Sequence, residues 1–209
     1  MAGERIGILR MPIDNLQSVW NALHELGFEP QFVDESGDYA SLTHLVIPGV
    51  GNFRAVMTHL AERAIPPQVR GFAASGRPVL GICAGMQLLA REGAEGGRTE
   101  GLGLVDASVE RLAGGAGLRL PHVGWSTVHF RHPHPVFEGL KSDRDFYFVH
   151  SYAMHVAREA DWLGESTYGE PFVSVVGRGN VIGMQFHPEK SQVNGLKLLE
   201  NFARWDGRC

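Results

Sequence analysis

Residues 79–89 read Val-Leu-Gly-Ile-Cys-Ala-Gly-Met-Gln-Leu-Leu: an apolar run of β type meets Gly-x-Cys-x-Gly and passes at once into helical apolar spacing. So abrupt a junction constrains the whole fold, because a strand feeding straight into a helix implies a sheet with helices packed across it. The turn sets Cys83 at the strand end, beside the N–H groups of the helix's first turn. Those groups favour negative charge, on the thiol and on an oxyanion formed by its attack. Gly81 and Gly85 keep a strained, closely packed turn free of side chains. A buried structural thiol fits the same motif, since free cysteine is among the most buried residue types. A base elsewhere in the chain would separate the two readings.

Such a base stands in Val181-Ile182-Gly183-Met184-Gln185-Phe186-His187-Pro188-Glu189. The run up to Phe186 reads as a strand, and Pro188 biases His187 toward extended backbone. Residues two apart then point to one side, so Glu189 can accept from one imidazole nitrogen while the other faces outward. This is the base and orienter of a nucleophilic triad. Alone, His-Pro-Glu reads as a loop histidine beside a solvated carboxylate. Together with the cysteine elbow it reads as catalytic. Pro48-Gly49-Val50-Gly51 follows a further strand, and its glycines let the backbone turn an N–H toward a carbonyl oxygen. The N–H groups of Gly51 and Ala84 are the expected oxyanion hole, although turns of this composition are common.

At 209 residues the chain is expected to form a single domain, 1–209, with a substantial core. A net charge of −4 and the lack of a basic run give no electrostatic case for nucleic acid. The two cysteines, Cys83 and Cys209, make no disulfide framework, and we find no signal-peptide core or membrane span. The expectation is a cytoplasmic protein that binds neither membrane nor nucleic acid.

Strands are expected at 5–9, 29–33, 43–47 and 78–82, alternating with helices at 15–26, 53–63, from Pro66-Pro67 to 75, and 84–92. This alternation predicts an α/β fold: a doubly wound, mostly parallel sheet with helices on both faces and its reactive residues at strand C-terminal ends. The second half reads as short β runs at 105–112, 123–130, 146–155, 164–168, 172–177 and 181–186, then a helix at 191–205. These are antiparallel additions. Gly114–Gly117 reads as a hairpin loop and matches no dinucleotide or phosphate fingerprint, so no cofactor is expected.

GICAGMQLL, PGVGNF, PHVGW, YFVHSY and QFHPEKS, in this order, resemble the class I glutamine amidotransferases over essentially the whole chain. PGVG, PHVGW and YFVHSY narrow the resemblance to the glutaminase subunits of imidazole glycerol phosphate synthase, of histidine biosynthesis. The resemblance implies that Cys83 attacks the L-glutamine carboxamide, that His187 moves the protons and that Glu189 orients His187. It implies backbone around Gly51 and Ala84 for the oxyanion, and Gln87, His150 and Ser151 for glutamine. Ammonia would pass to a separate (β/α)8-barrel synthase subunit, with Trp125, Tyr147 and Lys190 near that interface. A Val50–Gly51 peptide with its N–H turned away until the partner binds would act as a switch. The chain departs from the family pattern at Arg10–Asp14, at Asn52 and Arg54, and at Ser126, where Asn is frequent.

Each of these residues also has an ordinary structural reading. Trp125 and Tyr147 fit packing aromatics, and Lys190 a solvated charge. His129, His132 and His134 invite a metal, but Pro133 and Pro135 interrupt their spacing and no metal site is expected. The alternatives in function are a sibling glutaminase subunit serving another acceptor synthase, a stand-alone cysteine hydrolase, and a non-catalytic binding subunit.

Overall fold

The computed structural model describes residues 3–11, 16–113 and 117–209. In chain order its elements are β1 (Ile6–Leu9), α1 (Leu16–Glu25), β2 (Gln31–Val33), β3 (His44–Ile47), α2 (Phe53–Glu62), α3 (Ile65–Ala74), β4 (Val79–Ile82) and α4 (Ala84–Leu88). There follow β5 (Glu92–Gly93), β6 (Thr99–Glu100), β7 (Ala107–Arg111), β8 (His122–Phe130), β9 (Asp143–His150) and β10 (Tyr152–Val156). The chain closes with β11 (Trp162–Tyr168), β12 (Glu170–Arg178), β13 (Val181–Met184) and α5 (Gln192–Arg204).

Among the described residues the strands form one sheet in the order β2-β1-β3-β4-β13-β12-β10-β7-β5-β6, with β11, β8 and β9 branching from β12. The run β2-β1-β3-β4-β13 is parallel. From β12 onward most pairings are antiparallel. Every residue of β1, β3, β4 and β13 is buried, because helices cover both faces of the parallel part. On one face Ile6, Ile8, Leu80 and Ile82 meet Val19 and Leu23 of α1 and Leu198, Leu199 and Phe202 of α5. On the other, Leu45, Ile47 and Val79 meet Phe53, Val56 and Leu60 of α2 and Val69 and Phe72 of α3.

Three sequence expectations change. The helix after Cys83 ends at Leu88, not near 92, because N–H groups of Leu102, Gly103, Leu104 and Val105 take the carbonyls of Leu88, Leu89 and Ala90. The β run 146–155 is two strands broken at Ser151, since β9 pairs with β8 whereas β10 pairs with β7 and β12. The helix at Pro66-Pro67 starts one residue earlier, at Ile65, placing proline in a first turn whose N–H groups have no helical acceptor. The two-residue strands β5 and β6 left no periodic signal. Residues 114–116 of the expected hairpin loop, and 12–15 at the atypical loop and first helix start, lie outside the described residues.

Candidate active site

The site is built around the turn between β4 and α4. Cys83 has φ 53° and ψ −113°, a left-handed backbone that a non-glycine residue holds only where its surroundings enforce it. Its N–H donates to the Met184 carbonyl of β13, 2.8 Å away. A Cβ on Gly85 would lie 1.8 Å from the Ile47 carbonyl oxygen, and one on Gly49 would lie 2.3 Å from the Gly85 nitrogen. A Cβ on Gly81 would meet Gly85 and Met86 backbone at 2.7 Å. Backbone packs on backbone here, and that contact holds the cysteine in place.

His187 leaves β13's end two residues past Gln185, and its N–H donates to the Tyr147 carbonyl at 2.9 Å. The Ser191 hydroxyl donates to the His187 carbonyl at 2.6 Å and accepts from the Tyr147 N–H at 3.0 Å, tying this corner to β9. The imidazole Nδ1 lies 2.8 Å from Glu189 Oε1, with both side chains buried. This leaves Nε2 for the Cys83 thiol, with which the ring is hydrogen-bonded. Burial alone would drive the His187 pKa down; the bonds and charges of Cys83 and Glu189 outweigh it and push it up to about 10. Thiol, imidazole and carboxylate therefore stand in series.

Gly51, Cys83, Ala84, Gln87, His150 and Ser151 line one cavity of about 350 Å³, while His187 and Glu189 are buried beside the thiol. The Cys83 sulfur lies 3.6 Å from the Val149 carbonyl. Both amide protons of Gln87 are engaged, by the Tyr152 carbonyl and Gln185 Oε1, each at 3.0 Å, so toward a ligand Gln87 offers its carbonyl oxygen. His150 is turned inward: Nδ1 donates to the Tyr152 carbonyl at 2.8 Å, and Nε2 pairs with His122 at 3.0 Å. Burial dominates its protonation and, with the charges of His122 and His187, outweighs the Tyr152 bond, lowering its pKa to about 4.

Of the two backbone N–H groups expected to serve an oxyanion, that of Ala84 is engaged. Gly51 has φ 124° and lines the cavity, but the Ala84 N–H donates to the Gly49 carbonyl at 3.2 Å. The carbonyl that accepts from Ala84 belongs to the Gly49–Val50 peptide, which immediately precedes Val50–Gly51.

Two residues escaped the sequence reading. Glu95 lines the cavity and accepts from the Phe53 N–H at 2.8 Å. It stands in an Ala-Glu-Gly-Gly loop whose position depends on the short β5, so no sequence signal marked it. Gln185 is fully buried and donates to the Cys83 sulfur at 3.8 Å. A polar residue within the apolar run Met184–Phe186 was the available signal.

Trp125 is 49% exposed and lies edge to face with the half-buried Tyr147, ring centroids 6.0 Å apart. Val123 and Val149 share this face of the β8–β9 hairpin and are exposed with it. Lys190 is exposed just past Glu189. Of the candidate histidines, His129 pairs with Asp143 at 3.0 Å and His134 packs on Phe137 and Trp205. Among the described residues no three His, Cys, Asp or Glu side chains gather around a metal position. No helix among them is long and apolar enough to cross a membrane.

Residues 12–205 match the family described as glutamine amidotransferase class-I. The chain is 48% identical, over 96% of its length and 93% of the relative's, to the imidazole glycerol phosphate synthase subunit HisH of Symbiobacterium thermophilum. It is 43% identical to the protein of the same name from Desulfitobacterium hafniense, over 96% of this chain and 94% of that one. A solved glutamine amidotransferase superposes with a TM-score of 0.73 at 25% identity, covering 95% of this chain and 97% of that one. The chain belongs to the class-I glutamine amidotransferases and, within them, to the HisH subunits of imidazole glycerol phosphate synthase.

Proposed function

We propose that the chain is the glutaminase subunit of an imidazole glycerol phosphate synthase of histidine biosynthesis, cleaving L-glutamine at Cys83 and passing the ammonia to a (β/α)8-barrel synthase subunit. The observation that carries this is the buried series Cys83–His187–Glu189, whose sulfur opens on a cavity that also holds a carboxylate, Glu95. Glu95 suits the α-ammonium of glutamine, which directs the γ-carboxamide toward the sulfur. The thiolate adds to the amide carbon, and charge on the resulting oxygen is met by backbone N–H groups near Gly51 and Ala84 once the Gly49 carbonyl has turned away. The C–N bond breaks as His187 gives its proton to the departing nitrogen. Water, deprotonated by the same ring, then cleaves the thioester to glutamate. Glu189 holds Nδ1 throughout, so Nε2 keeps facing the sulfur.

The apolar face of Val123, Trp125, Tyr147 and Val149 lies beside the cavity and suits a partner that keeps ammonia from water, where it would be protonated. Steady-state release of glutamate from glutamine tests the reading, with and without the barrel synthase. Activity that rises with the synthase and vanishes in Cys83→Ala is expected. A Cys83→Ala variant as active as the parent, or failure of the soluble chain to rescue a histidine auxotroph lacking its own glutaminase subunit, overturns it.

A further inference from the structure

Beneath the exposed hairpin face, on the inward side of the same two strands, runs an unbroken series of hydrogen bonds that the amide chemistry above does not use. The Ser126 hydroxyl lies 2.9 Å from His122 Nε2, His122 Nδ1 lies 3.0 Å from His150 Nε2, and His150 Nδ1 lies 2.8 Å from the Tyr152 carbonyl. That carbonyl also accepts from Gln87, Gln87 donates to Gln185 Oε1, and Gln185 donates to the Cys83 sulfur. A carbonyl only accepts, so each proton in the series is assigned in turn. His150 carries its proton on Nδ1, which makes Nε2 an acceptor and requires the proton of His122 on Nδ1. His122 Nε2 then accepts from Ser126. On the other side, Gln87 presents its NH2 to the carbonyl and to Gln185, so Gln185 turns its own NH2 to the sulfur.

His122 and His150 are 2% and 5% exposed, and His122 stacks between Tyr168 and Phe148 with centroids 4.2 and 5.1 Å away. Packing alone would favour an apolar ring there, since burying an imidazole costs free energy that only well-made hydrogen bonds return. What the imidazole adds is direction.

We propose that Ser126 and His122 are positioning residues for the cysteine site. Acting through His150, they fix the Tyr152 carbonyl, and that carbonyl sets the amides of Gln87 and Gln185 against the Cys83 sulfur. Register supports this, because His122 pairs directly with His150 across β8 and β9, and Tyr152 opens β10 just past the break at Ser151. The series thus pins the point where the chain leaves one strand pair for another, beside the cavity. The consequence for catalysis rests on the glutaminase reading.

Histidine 15N resonances of the full chain, alkylation of Cys83 by chloroacetamide in a Cys209→Ser background, and glutamate release with the barrel synthase form the test. In the parent, both imidazoles are expected neutral with the proton on Nδ1. His122→Phe keeps the stack but has no donor, and should slow alkylation and lower kcat/KM for glutamine about tenfold, the weight of a well-placed hydrogen bond. His122→Asn restores a donor toward His150 and should recover most of that loss. Ser126→Ala should cost about threefold alone and nothing further in the His122→Phe background. Unchanged alkylation and kcat/KM in His122→Phe, a loss that follows only the melting temperature and that Asn does not recover, or a proton on Nε2 of His150 overturns the proposal. A parent chain that releases no glutamate overturns the glutaminase reading instead, and the tautomers and alkylation still decide the relay.

Discussion

The protonation of His187 is settled by its neighbours. Burial pulls its pKa down, while Cys83 and Glu189 pull it up more strongly, to about 10, so the ring holds its proton at neutral pH. A departing ammonia needs such an acid. Glu189→Gln keeps the volume but removes the charge that pairs with and orients the protonated ring, and should lower glutaminase kcat by a factor of about 10² to 10⁴ with the melting temperature little changed. Steady-state glutamate release beside thermal unfolding checks it. His150 moves the opposite way, its pKa lowered from 6.5 to about 4 chiefly by burial. Between those values the unfolded chain takes up a proton that the folded one refuses. Stability therefore rises with pH across that window and is lost on acidification. Burial lowers His44, His122 and His134 in the same direction. Urea unfolding from pH 4 to 6.5 should show this slope, reduced by roughly 1 kcal/mol per pH unit in His150→Gln. A slope unchanged by the substitution would refute the assignment.

At the scale of elements, two glycines make opposite predictions. Gly85 packs against the β3 end so closely that Gly85→Ala drives a methyl into the Ile47 carbonyl; we expect a loss of about 3 kcal/mol in denaturant unfolding. Gly71 is an exposed residue within α3 with nothing near its absent Cβ. Gly71→Ala should add about 0.5–1 kcal/mol, since alanine loses less backbone entropy in a helix. The sequence distinguished these positions only in part: Gly-x-Cys-x-Gly marked Gly85 as confined, while nothing local marked Gly71 as open. Most elements of the first half were legible because hydrophobic spacing and Pro or Gly punctuation agree there. The helix after Cys83 read too long, for its end is set by a loop from residues 101–105 that caps its carbonyls. The break at Ser151 was equally hidden, because both flanking segments are good β sequence and only their partners differ.

Across the whole molecule, the hairpin of β8 and β9 carries the hydrogen-bonded Ser126, His122 and His150 on its inner face and an apolar surface on its outer one. Val123 is 55% exposed and Trp125 49%, an arrangement a monomer in water gains nothing from. Trp125→Ala should weaken association with the barrel synthase by about 2 kcal/mol while leaving the subunit's melting temperature within a degree or two. Isothermal titration beside a melting curve measures both; unchanged affinity would remove Trp125 from the interface. Cys83, His187 and Glu189, the residues proposed as nucleophile, base and orienter, were readable as candidates in the sequence, because each follows from short-range rules: a glycine-flanked strand-to-helix turn, and a carboxylate two residues beyond a histidine held extended by proline. Their meeting was not. It comes from the parallel pairing of β4 with β13, which sets Ile82 opposite Met184 and lets both chains leave the sheet at the same end. Likewise, only packing brought Glu95 to the cavity, turned Gln185 toward the sulfur and closed the Ala84 N–H with the Gly49 carbonyl. Local periodicity fixes what each segment is, whereas hydrogen bonds between residues distant in the chain decide which groups face one another.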